Sequence, residues 1–216
     1  MTKKSKNNPL LSSGFLLRHN DKKYYTTVGI TLGIIILLIT IIGIFVPTEA
    51  TIKIPGEPTR VFWPKYINED GSATCRQIFD PDVNKPGNPN NSLMVLDKWS
   101  LTHITHGIIG YFIFLLIKFV LKADLNITIG FIIMLIIEVS WEYYENTTKE
   151  INQYRKANQF ETYSGDSIVN SLGDILSCLF GFLFASISPA AAIAYVAISE
   201  PILWPNGLIG GIYYLF

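Results

Sequence analysis

Residues 28–46, VGITLGIIILLITIIGIFV, decide the class of this protein. The stretch carries no charge and is built mostly from Ile, Leu and Val. As a helix rising ~1.5 Å per residue it is long enough to cross a hydrocarbon core of ~30 Å. A cleaved signal peptide would have a shorter apolar part and a small-x-small cleavage site after it. Neither is seen, so the stretch reads as a signal anchor. Gly29 and Gly33 form a small-xxx-small pair, a weak helix-packing signal by itself.

On its N-terminal side, residues 1–27 form a polar, basic tail. Lys3, Lys4, Lys6, Arg18, Lys22 and Lys23 stand against the single acid Asp21. The positive-inside rule keeps such a tail cytoplasmic. On the C-terminal side, residues 47–98 are rich in Pro, Asn, Gly and Asp, with short β-like pieces at 51–54 and 60–63. This reads as a loop or small subdomain outside the bilayer, and as a surface for a protein partner. Asp80, Asp82 and Asn84 begin like a calcium loop. The sixth position is Lys85 instead of Gly and the twelfth is Asn91, which excludes an EF-hand.

Four further apolar runs follow, at about 101–121, 127–145, 166–187 and 190–214, the last interrupted by Pro201 and Pro205. Residues 99–216 therefore read as a four-helix transmembrane domain. The whole is expected to be an all-α integral membrane protein, a bundle of about five transmembrane helices with one polar extramembrane loop. Charge is balanced at 17 basic against 17 acidic residues, and no basic patch offers a nucleic-acid surface. The two cysteines, Cys75 and Cys178, form neither a disulfide framework nor a zinc-finger spacing.

The polar residues of the apolar runs fall in a pattern. His103 and His106 open the second run, one helical turn apart. Glu138, Glu142 and Glu145 close the third, spaced i, i+4, i+7 on one stripe. Asp166, Asn170 and Asp174 open the fourth, spaced i, i+4, i+8, beside Gly173, Ser177 and Gly181. In an up-and-down bundle these three ends share one side. Unpaired charge in a bilayer costs several kcal/mol or more, so such groups mark a functional site by default. The competing reading is a polar network of Arg155, Asn146 and the histidines that only fixes helix register.

Paired histidines facing carboxylates have the donor types of a divalent metal site such as zinc. His103, His106 and Glu142 are the expected ligands. Without metal, a histidine and a glutamate suit acid–base chemistry. Glu142, Glu145, His106 and Asp166 are the catalytic candidates. Arg155, Asn146, Asn170 and Asp174 are the candidates for binding substrate. No nucleophile elbow, phosphate loop or dinucleotide fingerprint is present.

The segments Thr102-His103-Ile104-Thr105-His106-Gly107, Glu138-Val139-Ser140-Trp141-Glu142-Tyr143-Tyr144-Glu145-Asn146, Tyr154-Arg155 and Gly165-Asp166-Ser167-Ile168-Val169-Asn170-Ser171-Leu172-Gly173-Asp174 carry a resemblance. Together they resemble domain-of-unknown-function 2585, an uncharacterised family of bacterial membrane proteins. They are distantly similar to VanZ-like proteins as well. The likeness covers about residues 97–200 and implies a compact multi-span domain sharing these polar residues, with no reaction attached. The family tends to carry an Arg-Asp-Asn stretch in its last helix, where this chain has Trp204-Pro205-Asn206-Gly207.

The leading expectation is a membrane protein with a polar site facing away from the cytoplasm. That site would bind a metal, a membrane lipid headgroup or a lipid-linked substrate, and support hydrolysis or transfer. The alternative is a non-enzymatic structural or assembly protein whose polar cluster fixes helix packing. A small transporter is less favoured, because the acids sit near one face and no matching broken helices are visible.

Overall fold

The computed structural model describes residues 22–80, 88–158 and 163–203. The basic stretch before Lys22 and the C-terminal part of the last apolar run lie outside the described residues. Among the described residues six helices and one hairpin follow in order: α1 (Lys22–Phe45), β1 (Thr51–Lys53), β2 (Thr59–Val61), α2 (Lys98–Leu121), α3 (Ile127–Glu145), α4 (Thr148–Asn158), α5 (Ile168–Ile187) and α6 (Pro189–Leu203). Four of them, α1, α2, α3 and α5, are long and apolar enough to cross a membrane. The protein is an integral membrane protein of the helical-bundle class. The apolar α6 has 15 residues, or ~22 Å, which over its described length falls short of a bilayer core.

Surface chemistry agrees with lipid as the solvent. Ile30, Ile34, Leu37, Ile41 and Ile44 stand exposed along α1, Ile113, Leu116 and Val120 along α2, and Ile129, Ile133 and Ile136 along α3. In water such a continuous apolar surface would drive aggregation.

Local chemistry sets the helix ends. α1 is already helical at Lys22, ahead of the uncharged run, and its Tyr24 is buried on the bundle and bonds the Ser186 hydroxyl at 2.9 Å. α2 starts at Lys98, since the Asp97 carboxylate caps the amides of Trp99 and Ser100 at 2.8 and 3.2 Å. Lys122 closes α2 in the left-handed region, at φ 49°. Residues 146–165, between the third and fourth apolar runs, contain the short helix α4. Ile151 anchors it, 2% exposed, with its amide bonded to the Thr147 carbonyl. A single buried residue per turn is too weak a periodicity to read from sequence.

The bundle runs up and down around α5, the most enclosed span. Tyr24 near the start of α1 meets Ser186 at the end of α5 and Phe131 near the start of α3. At the opposite end, Ile42 packs with Trp63, Val95 and Val169. That end therefore gathers the finish of α1 and α3 and the start of α2 and α5.

α2 and α5 pack closest. A Cβ on Gly107 would collide with the Cys178 carbonyl and one on Gly181 with the Ile104 carbonyl, while one on Gly173 would meet the Val95 carbonyl just ahead of α2. Small residues let the two backbones touch, which is how helices associate where lipid gives no hydrophobic driving force.

The extramembrane segment is fastened to the same end. β1 and β2 pair antiparallel, Ile52 opposite Arg60, across a turn with Gly56 at φ 87°. Arg76 donates to the carbonyls of Gly43 at 2.7 Å and Val46 at 2.5 Å, which the end of α1 leaves without helical partners. It also bonds the Trp63 carbonyl at 2.7 Å and lies over the Trp63 ring.

Two outcomes follow from this packing. Gly107→Ala is expected to lower the melting temperature in detergent, since overpacking costs ~1–3 kcal/mol. Gly29→Ala, where a Cβ meets nothing within 4 Å, is the control and should change it little. Arg76→Ala is expected to open the extramembrane segment, read as faster limited proteolysis. Loss of charge-assisted hydrogen bonds of ~1.5–3 kcal/mol each sets the scale.

Candidate functional site

The gathered end holds a buried polar cluster. α2 supplies His103 and His106, α3 supplies Glu138, Glu142 and Glu145, and α5 with its approach supplies Asp166, Asn170 and Asp174. His103, Glu138, Glu142, Asp166, Asn170 and Asp174 are buried. His106 and Glu145 are half-buried and form its accessible edge.

His103 is the hub. Its Nδ1 bonds Glu138 Oε1 and lies 3.6 Å from Glu142 Oε1, while its Nε2 lies 3.9 Å from Asp174 Oδ2. His106 Nδ1 lies 3.8 Å from Glu138 Oε2, and its ring stands edge-on to those of His103 and Trp141, with centroids 5.0 and 6.3 Å away. Asp174 is held by the Ser100 hydroxyl, donating to Oδ1 at 2.6 Å.

Glu142 differs from its neighbours. It is 3% exposed, and neither carboxylate oxygen has a hydrogen-bond partner. Ser171 stands beside it without reaching hydrogen-bond geometry. A buried polar atom without a partner is rare and costly.

Three groups of ligand-type side chains overlap here: His103, His106 and Glu138; His103, Glu142 and Asp174; and Glu142, Glu145 and Asp166. Within each group the donor atoms lie within 4.8 Å of one another. Their chemistry fits a divalent cation, with one imidazole group and one all-oxygen group sharing Glu142.

Other candidates hold the frame. The Asn146 amide donates to the Glu142 carbonyl at 2.9 Å and to Asp166 Oδ2 at 2.7 Å, and its Oδ1 accepts from the Asp166 amide at 2.7 Å. Asn170 donates to the Met94 carbonyl at 2.9 Å. Arg155 stands off the cluster: its Nε donates to the Tyr163 carbonyl, and the Tyr163 hydroxyl donates to Asp166 Oδ1 at 2.9 Å. Burial, reinforced by the charge of Asp166, pushes the Tyr163 hydroxyl pKa up.

Sequence reasoning missed Arg60, Asp97, Ser100 and Tyr163. Arg60, from β2, donates to the Asp166 carbonyl at 2.9 Å, the Ser167 carbonyl at 3.1 Å and the Ser171 hydroxyl at 2.6 Å. No sequence signal marks it, since its partners lie more than 100 positions away. Asp97 and Ser100 were legible as Asp-x-x-Ser ahead of an apolar run, a capping pattern. Burial, with the charge of Asp166 adding to it, pushes the Asp97 carboxyl up to about 7.

This arrangement defines a class: a multi-span helical membrane protein with a carboxylate–histidine cluster at one end of its bundle. The chain belongs to the family described as a protein of unknown function, DUF2585, which matches residues 72–206. The match contains every cluster residue named above except Arg60. Among similar proteins are UPF0314 proteins of Agrobacterium fabrum, 36% identical over 56% of this chain and 58% of the relative, and of Sinorhizobium fredii, 35% identical over 56% and 58%. One of Rhizobium meliloti is 37% identical over 50% and 53%. The chain thus spans a little over half the length of the curated relatives it matches. No solved structure matches it.

Asp97 gives the site a pH signature. Its folded pKa lies above the unfolded value of ~3.9, so between those values the folded state binds the extra proton and stability falls as pH rises. Asp97→Asn keeps a capping side chain. It is expected to flatten the decline in melting temperature from pH 4 to 7 by no more than one proton, about 1.4 kcal/mol per pH unit. Melting curves in detergent across that range check it.

Proposed function

We propose that this protein is a metal-dependent membrane enzyme acting on a lipid headgroup or lipid-linked substrate by hydrolysis or transfer. The observation that carries the reading is Glu142, buried without a hydrogen-bond partner on either oxygen and grouped with His103 and Asp174. One imidazole and two carboxylates make a three-residue set that suits zinc or a similar divalent ion. Glu138, bonded to the Nδ1 of His103, orients the ring, as a carboxylate behind a metal-binding histidine does.

The accessible edge supports acid–base work. His106 and Glu145 are half-buried beside the triad, within reach of a substrate while the inner groups are not. In this reading Glu145 accepts a proton from the attacking water or hydroxyl, and His106 protonates the leaving group. Asp166, Asn146 and Asn170 hold those groups in place. Arg155, half-buried beyond Tyr163, meets an anionic group of the substrate. Exposed Trp141, Tyr143 and Tyr144 ring the same end of α3. Such aromatics sit at headgroup level, which favours a substrate presented by the membrane. The basic stretch before α1 puts that end on the face away from the cytoplasm.

A structural reading is favoured by one observation. Asn170, Ser167 and Arg60 tie the extramembrane segment to α5 through backbone carbonyls, as a packing device would. In that case the segment over 47–98 holds a protein partner.

Metal analysis of detergent-purified protein separates the two. Wild type is expected to carry near-stoichiometric zinc or another divalent ion, and His103→Ala/His106→Ala to lose it at least tenfold. Glu142→Gln should abolish turnover while the protein still elutes as a folded species. No metal in either sample, together with a much lower melting temperature in the double variant, would sink the enzyme reading in favour of the structural one.

A further inference from the structure

We propose that the cluster holds two divalent cations, bridged by Glu142; this rests on the metal-centre reading above. Two of the three groups of ligand-type side chains share only this residue: His103, Glu142 and Asp174 on one side, and Glu142, Glu145 and Asp166 on the other. A single ion engaging the first group leaves Glu145 and Asp166 gathered against Glu142 with no lysine or arginine paired to them among the described residues.

The charge balance points the same way. Asp97, Glu138, Glu142, Glu145, Asp166 and Asp174 crowd one end of the bundle. Among the described residues no lysine or arginine forms an ion pair with any of them. Arg60 reaches the cluster only through two carbonyls and a hydroxyl. Buried carboxylates left without compensating charge are strongly destabilising, and bound divalent ions are the most concentrated source of it.

Glu142 supplies the independent observation. Both of its oxygens are buried and without a hydrogen-bond partner, and Oε1 lies 3.6 Å from His103 Nδ1. A carboxylate with two unengaged oxygens, standing in two donor groups at once, has the form of a bridging ligand. The neighbouring carboxylates are engaged elsewhere: Glu138 by His103, Asp174 by Ser100, Asp166 by Asn146 and Tyr163. Those bonds engage one oxygen of Glu138 and of Asp174 and both oxygens of Asp166, and fix their orientation as partners around a metal site do.

The two positions differ in donor chemistry. The histidine-containing one suits zinc, manganese or iron(II), while the all-oxygen one suits manganese or magnesium. Paired ions of this kind clamp the attacking and leaving oxygens in phosphoryl and acyl transfer. A phosphate-ester or acyl-ester lipid is the substrate class that such a pair would serve.

The test is manganese stoichiometry in the full chain. Metal-stripped protein in detergent is reloaded with Mn2+, freed of excess ion, and measured by elemental analysis and electron paramagnetic resonance. Wild type should bind two ions per chain with a spin-coupled spectrum. Asp166→Asn and, independently, Glu145→Gln should each retain one ion with an uncoupled spectrum. Glu142→Gln should lose the coupling. Each variant is first checked for an unchanged elution profile, and the pair of oxygen-site variants guards against one failing to fold. One ion per wild-type chain, unchanged in both variants, overturns the two-ion inference and leaves the single-metal reading standing. Two ions surviving in both variants also overturns it. No bound manganese or zinc in wild type overturns both.

Discussion

The contact on which the rest depends is the touch of backbone on backbone between α2 and α5. Gly107 and Gly181 each face a carbonyl of the other helix where a Cβ would have no room, and Gly173 faces the Val95 carbonyl just ahead of α2 in the same way. In lipid the apolar faces of two helices gain nothing by leaving their solvent, so close van der Waals packing and hydrogen bonds must hold them. That closeness brings His103 of α2 within 3.9 Å of Asp174 of α5 and lets Ser100 bond the same carboxylate. Were the helices spaced by ordinary side chains, the histidine and the aspartate would belong to separate surfaces.

Once those helices meet, gathering acids at one end adds an electrostatic cost to the fold. α3 brings a stripe of acids to an end already holding Asp97, Asp166 and Asp174. The protein answers part of this with hydrogen bonds. Asn146 binds Asp166 from both ends of its amide, and Tyr163 and Ser100 each donate to a carboxylate. Glu142 receives none of these.

The extramembrane segment completes this frame. Arg76 closes the carbonyl end of α1, and Arg60 ties β2 to the entry of α5. The Phe62 carbonyl accepts from the Val169 amide, one of the α5 donors that a helix leaves unpaired at its start. The segment thus covers the polar end of the bundle and leaves His106 and Glu145 at its accessible edge.

Much of this was legible in sequence. Uncharged runs of bilayer length determine spanning helices, because backbone groups in lipid must be satisfied within the segment. Spacing of three and four residues placed Glu138, Glu142 and Glu145 on one stripe, and chain reversal put the histidines, glutamates and aspartates at one end. Tertiary structure alone decided which of those groups meet: that His103 bridges Glu138 and Asp174, that Glu142 stays without a hydrogen-bond partner, and that Arg155 stands aside while Arg60 reaches in. The reason is range. Helix periodicity and hydrophobic length are properties of neighbours along the chain, whereas the Arg60 and His103 contacts join residues 35 to 111 positions apart, set by how closely backbones approach.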